Sequence, residues 1–217
     1  MKMTGNTVLI TGGATGIGFA MAKNLLERDN TVIISGRRVD RLEYAKEQLP
    51  GLKTARCDVA MRDSRAALHA YIEMQYPEIN ILINNAVMQR QLDFSQSIKD
   101  FVTFCDDEIA VNFAAPIFMS ALFAQILSHK ENAAVVHMSS SIVYTPEYAD
   151  NLPIFSATKA GLHAFSVVQR KMMEPLGIRV VEIVPPVVGN ELGVDVDDFV
   201  QKAFAKMEAD EEEIWAI

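Results

Sequence analysis

The sequence predicts an α/β fold: one doubly wound, Rossmann-type domain with a mostly or wholly parallel sheet. Three observations carry that prediction. Short β-branched and aliphatic runs alternate with helical patterns along nearly the whole chain, as in a parallel sheet covered on both faces. A glycine-rich run follows the first apolar segment and opens a helical one. The chain has 217 residues, 50% of them hydrophobic, enough for one large core. No repeat and no Gly/Ser-rich linker divides it, so residues 1–217 are read as a single domain.

Taken in order, the first strand falls on Thr7–Thr11, an unbroken apolar run between threonines. Further strands of the same character follow at Thr31–Ser35, Lys53–Cys57, Asn80–Asn84, Ala134–Ser139 and Arg179–Val184. Between them, apolar residues recur at helical spacing over Gly18–Arg28, Asp40–Gln48, Arg62–Gln75, Glu108–His129 and Ser156–Met173, with one more helix near Asp197–Met207. The acidic run from Glu208 to Glu213 reads as a solvated helix end. Ile214-Trp215-Ala216-Ile217 reads as a short last strand.

The net charge of −8 argues against nucleic acid or an anionic membrane as a general partner. Cys57 and Cys105 form no CxxC motif, and no apolar leader precedes the first strand, so a reducing cytoplasm is expected. Ile109–Ser128 carries no charge, yet it contains Asn112, Pro116, Ser120 and Gln125, which would need partners in lipid. A buried helix at a subunit interface explains it better than a membrane span.

After the first strand comes Thr11-Gly12-Gly13-Ala14-Thr15-Gly16-Ile17-Gly18. Glycines at 12, 16 and 18 let backbone approach a pyrophosphate, and the helix that follows offers it free N–H groups and a positive dipole end. This GxxxGxG spacing resembles the short-chain dehydrogenases/reductases, and further motifs of that family follow in order. Asp58, with Val59 beside it, matches the acid at the adenine ring. Asn84-Asn85-Ala86 matches the Asn-Asn-Ala-Gly turn, Asn112 a structural and proton-relay asparagine, and Ser140 the catalytic serine. Lys159 matches the lysine of Tyr-x-x-x-Lys, and Pro185-Pro186, with Val188 following, stands where the family has Pro-Gly. The resemblance spans Asn6 to Val188. It implies that Gly12, Thr15, Gly16, Ile17, Gly18, Asp58, Val59, Asn85, Ala86, Lys159, Pro185 and Val188 hold a nicotinamide dinucleotide.

An NAD-selective site places an acid at the end of the second strand, whereas a 2′-phosphate needs cations. This chain has Ser35-Gly36-Arg37-Arg38 there, and arginine forks its donors onto phosphate oxygens. NADP(H) is therefore expected ahead of NAD(H), with Arg37 and Arg38 in contact.

In this family, as the resemblance implies, the tyrosine is the general acid and base for a carbonyl/alcohol pair. Serine orients the substrate oxygen, and lysine lowers the tyrosine pKa and holds the nicotinamide ribose. Here Phe155 stands at the tyrosine position, with Ser140, Lys159 and Asn112 retained. The expected function is an NADP(H)-binding oxidoreductase acting on a small carbonyl or alcohol, with an impaired or divergent catalytic site. The alternative is a cofactor-binding pseudoenzyme acting as a redox sensor or interaction protein. Tyr144 or Tyr148, in the preceding loop, is a candidate replacement donor. Val87 and Asn190 also depart from the family pattern, Val87 being expected to crowd its turn. The segment after Val188 is short for a substrate lid.

Ser156-Ala157-Thr158-Lys159 is literally an S-x-x-K motif, but neither S-D-N nor K-T-G accompanies it. His137 and His163 read as structural, and His69 and His129 as surface residues. None has metal-ligand spacing, so no metal is expected. Phe113, Ile117, Phe118, Leu122 and Ile126 on one helix, and Leu162, Phe165 and Val168 on another, leave apolar surface that one sheet face cannot cover. A homodimer or homotetramer through these helices is expected.

Overall fold

A computed structural model describes residues 1–95, 97–148, 151–186 and 194–215. Strand β1 (Thr7–Thr11) leads through the glycine run into α1 (Gly16–Leu26). Then follow β2 (Thr31–Gly36), α2 (Val39–Gln48), β3 (Lys53–Arg56), α3 (Arg62–Gln75) and β4 (Ile81–Asn84). The second half holds α4 (Ile98–Ile109), α5 (Ala115–Leu127), β5 (Ala134–Met138), α6 (Pro153–Met173), β6 (Arg179–Ile183), α7 (Val196–Glu208) and β7 (Glu213–Ile214).

The strands form one seven-stranded sheet in the order β3-β2-β1-β4-β5-β6-β7, and every described pairing is parallel. The expected fold class is the one observed. The chain winds outward from β1 to β3, then returns to place β4 on the other side of β1. That reversal opens a crevice at the carboxyl ends of β1 and β4, where open α/β sheets bind ligands.

Continuous apolar strands are buried on both faces, and two cores result. On one, Met21 and Leu25 of α1, Leu42 of α2, and Phe199, Phe204 and Met207 of α7 pack on Val8, Ile10 and Ile34. On the other, Leu68 and Ile72 of α3 and Met119, Phe123 and Leu127 of α5 pack on Leu9, Ile33 and Val135. Each fully buried side chain of this kind contributes about 1.5–3 kcal/mol.

The long helix differs from its sequence reading. It begins at Ile98 rather than Glu108, capped by Ser97, whose Oγ accepts from Asp100 N at 3.2 Å. It also widens into a π-turn over Ala110–Ala114. Pro116 is the cause: it has no N–H to give, and its ring would press on the carbonyl of Asn112 four residues back. Ile98–Leu127 is long and apolar enough to cross a membrane, but Val111, Ala115, Met119, Phe123 and Leu127 bury its inner face in the core. The last strand is shorter than expected. It pairs Glu182 with Glu213 and Ile183 with Ile214, Trp215 lies beyond it, and residues 216 and 217 fall outside the described residues.

Candidate functional site

Two clefts meet at the carboxyl edge of the sheet. The first, of about 310 Å³, is lined by Gly12 and Ala14–Gly18, by Arg37, Arg38 and Arg41, and by Asp58, Val59, Asn85 and Ala86. The second, of about 530 Å³, is lined by Met138–Ile142, Leu152, Phe155, Lys159 and Pro185. Ile17, Asn85 and Val87 line both, so the two form one continuous trough.

The glycines divide their labour. At Gly12 (φ +66°) a Cβ would stand 2.8 Å from Ala86 Cα, and at Gly18 it would stand 2.4 Å from Asn85 Nδ2. Both are needed because the β1 and β4 loops touch. Gly16 has φ +56° and nothing within 4 Å; its open backbone leaves room for a ligand at the N-terminus of α1, whose first N–H groups have no intrahelical acceptor. Of the three glycines expected to face a pyrophosphate, Gly16 alone is open in this way, while Gly12 and Gly18 serve the packing beneath it.

Asn85 fastens the loops together. Its Nδ2 donates to Thr11 O at 2.9 Å and Gly12 O at 3.1 Å. Thr11 Oγ1 accepts from the backbone N–H of both Asn85 and Ala86 at 3.1 Å. Asp58 Oδ1 accepts from Ala60 N at 3.0 Å, which holds the carboxylate at the rim.

At the end of β2, Arg37 and Arg38 are exposed and line the first cleft, and Arg41 joins them from the first turn of α2. Sequence reading missed Arg41; its signal was the three-residue spacing from Arg38, which puts both on one helix face. These side chains and the open Gly16 suit a dinucleotide carrying an extra phosphate.

In the second cleft Lys159 is 3% exposed, and its Nζ donates to Met138 O at 2.6 Å. Burial pushes its pKa down to about 8. The Nζ lies 5.7 Å from the centroid of the Phe155 ring. Phe155 is 8% exposed and gives the cleft an apolar wall where the resemblance would place a phenol. Ser140 Oγ accepts from Ile142 N at 3.4 Å, which leaves its hydroxyl hydrogen for an incoming oxygen.

Asn112 lies behind the cleft rather than in it. Fully buried on the π-turn, it accepts from Met88 N at 2.8 Å and donates to Met88 O at 2.7 Å and Thr158 Oγ1 at 3.4 Å. One turn earlier, buried Glu108 accepts from Arg90 N. Together they hold the segment after Ala86 in place. Val87, expected to crowd this turn, is instead 56% exposed and projects at the junction of the two clefts.

Tyr144 points elsewhere: its hydroxyl donates to Glu213 Oε1 at 2.7 Å, a bond that helps raise its pKa beyond the effect of burial. The side chain of Tyr148, and Val188 and Asn190, lie outside the described residues. His137 bonds Gln169 at 2.7 Å in the core, and burial drives its pKa down to about 4. His69 packs edge-on against Phe123.

The family profile described as short chain dehydrogenase matches residues 6–200. An uncharacterized oxidoreductase, DltE, of Bacillus subtilis (strain 168) is 45% identical over 193 residues, covering 88% of this chain and 75% of that protein. An NADP-dependent 3-hydroxy acid dehydrogenase, YdfG, of Salmonella typhi is 29% identical over 185 residues, covering 84% and 72%. Among solved structures, a putative short-chain dehydrogenase from Novosphingobium aromaticivorans superposes with a TM-score of 0.87 at 22% identity, covering 100% of this chain and 82% of its own.

Proposed function

The chain belongs to the short-chain dehydrogenases, and from that premise we propose that it is an NADP(H)-dependent oxidoreductase of a carbonyl/alcohol pair whose site lacks the usual proton donor. A nicotinamide bound here supplies or accepts hydride. Arg37, Arg38 and Arg41 at the rim of the first cleft support the 2′-phosphate form, as does the NADP-dependence of one relative. In the second cleft Ser140 donates to the substrate oxygen, Lys159 supports the cofactor side, and water completes proton transfer.

The observation that carries this reading is the Phe155 ring, packed beside Lys159 in the cleft that Ser140 lines. A phenyl ring neither gives nor takes a proton, so turnover is slow. A second reading is a cofactor-binding pseudoenzyme whose occupancy signals redox state or supports an interaction. The apolar wall that Phe155 gives the cleft favours it, because Lys159 then has no phenol to activate. Under either reading the protein works in the cytoplasm with Cys57 and Cys105 as free thiols. It pairs with a second copy through the exposed apolar side chains Phe118, Val167, Val168 and Met172.

NADPH fluorescence and NADPH oxidation with a panel of carbonyl compounds test this, for the unaltered chain and Phe155→Tyr side by side. Both should bind NADPH, with the tyrosine form turning over about 10²–10⁴-fold faster. Binding by both and turnover by neither would favour the pseudoenzyme. No binding by the unaltered chain would overturn both readings.

A further inference from the structure

We propose that Tyr144, His163, Glu182 and Glu213 form a site for a divalent transition-metal ion of the Zn²⁺ type, clamping the last strand to the segment after Ser140. A ring nitrogen of His163 and one carboxylate oxygen each from Glu182 and Glu213 all lie within 4.8 Å of one another. Within that group, Nδ1 is 2.9 Å from Glu182 Oε2. The phenolic oxygen of Tyr144 is 2.7 Å from Glu213 Oε1 and 3.3 Å from His163 Nδ1. Donors about 2.0–2.2 Å from a zinc ion stand roughly 3–3.5 Å apart in a tetrahedron. The widest separation must close by up to about 1.3 Å to reach that spacing.

Charge gives the reason for a cation here. Glu182 is fully buried near the carboxyl end of β6, and among the described residues the charged partner it could have is His163, whose ring pairs as an ion only when protonated. A carboxylate in such a place is costly unless it is paired or coordinates a metal. Glu213 brings a second carboxylate against the same imidazole. Of the cations nearby, Arg170 bonds Val180 O, Glu212 O and the Glu212 carboxylate, and Lys159 acts on Glu182 only through space, its Nζ bonding Met138 O. Ser166 Oγ donates to Glu182 Oε2 at 2.7 Å, the outer hydrogen bond that orients a ligating carboxylate.

One imidazole, two carboxylates and a phenol oxygen make a mixed N/O set that suits Zn²⁺ better than a thiolate-seeking or purely oxygen-seeking ion. The side chain of His163 is 26% exposed and Tyr144 is 42% exposed, which gives the ion a way in. On binding, the ion takes the Nδ1 lone pair and the proton shared there leaves to solvent. Without it, the same donors satisfy one another through their hydrogens.

The four residues come from four separate places: the cap of the 3₁₀ turn at Ser141–Val143, then α6, β6 and β7. None lines either cleft. Yet Tyr144 lies four residues beyond Ser140, and His163 one helical turn beyond Lys159. A bound ion therefore braces both walls of the second cleft from outside.

The test uses the tag-free chain, stripped of metal, titrated with Zn²⁺ in competition with a chromophoric chelator. Thermal unfolding is followed in parallel. Expected is one ion per chain with a Kd at or below the micromolar range, a raised Tm, and at least about tenfold weaker binding in Glu213→Gln. That variant keeps the size of the side chain and an acceptor for Tyr144, and His163→Gln gives the same readout should Glu213→Gln not fold. A Kd above about 100 µM for the unaltered chain, or unchanged binding in both variants, would overturn the site.

Discussion

Replacing Gly18 with alanine measures how closely the two loops of the first cleft meet. The new methyl would stand 2.4 Å from Asn85 Nδ2, 2.7 Å from Gly12 O and 2.9 Å from Gly13 Cα. The last two are backbone atoms and cannot swing aside. Asn85 can, but only by surrendering its bonds to Thr11 O and Gly12 O, a loss of about 1–3 kcal/mol for the pair. Displacing backbone in a packed region adds about 1–3 kcal/mol, and the helix preference of alanine returns up to about 1 kcal/mol. The expected net destabilisation is about 1–6 kcal/mol, centred at about 3–4 kcal/mol. Gly16→Ala meets no atom within 4 Å, but its φ is +56°, so it should cost about 1–2 kcal/mol. It should, however, weaken NADPH more than its stability loss suggests, because its methyl enters the open cradle. Urea unfolding of both variants without cofactor gives the comparison. A Gly18→Ala midpoint matching the unaltered chain, or a larger loss in Gly16→Ala, would refute the division of roles among these glycines.

Alanine at Arg37, Arg38 and Arg41 together should shift preference from NADPH toward NADH, with a weaker salt dependence of NADPH binding; fluorescence titrations at two salt concentrations check it. Lys159 has a pKa of about 8, below its ordinary 10.5, so between those values the unfolded chain holds more protons than the folded one. Stability therefore rises with pH across that window, by up to about 3 kcal/mol. The urea midpoint of the unaltered chain minus that of Lys159→Met should rise from pH 7.5 to pH 10, and a flat difference would contradict it. Asn112→Ala leaves both backbone groups of Met88 without their partner and should cost about 2–4 kcal/mol. Asn112→Asp should not restore the loss, since a carboxylate cannot donate to Met88 O.

The sequence by itself determined the architecture and the edge of the sheet where the candidate site lies. Thr7–Thr11, Thr31–Ser35 and Arg179–Val184 read as strands from their own residues, because β-branched runs and turn residues act over a few positions. The glycine run declared a strand-to-helix turn for the same reason. Lys159, Ser140 and Phe155 stood out through spacing and resemblance. What spacing could not say was what each residue touches. That Gly18 answers to Asn85 depends on two segments nearly 70 residues apart meeting at the switch between β1 and β4. Asn112 became the pin for Met88 only after Pro116 widened the helix. Glu182 and Glu213 face one imidazole because β6 and β7 pair in one register rather than another. Local sterics are written in neighbouring residues, whereas these contacts exist only once burial of two cores has fixed the order of the strands.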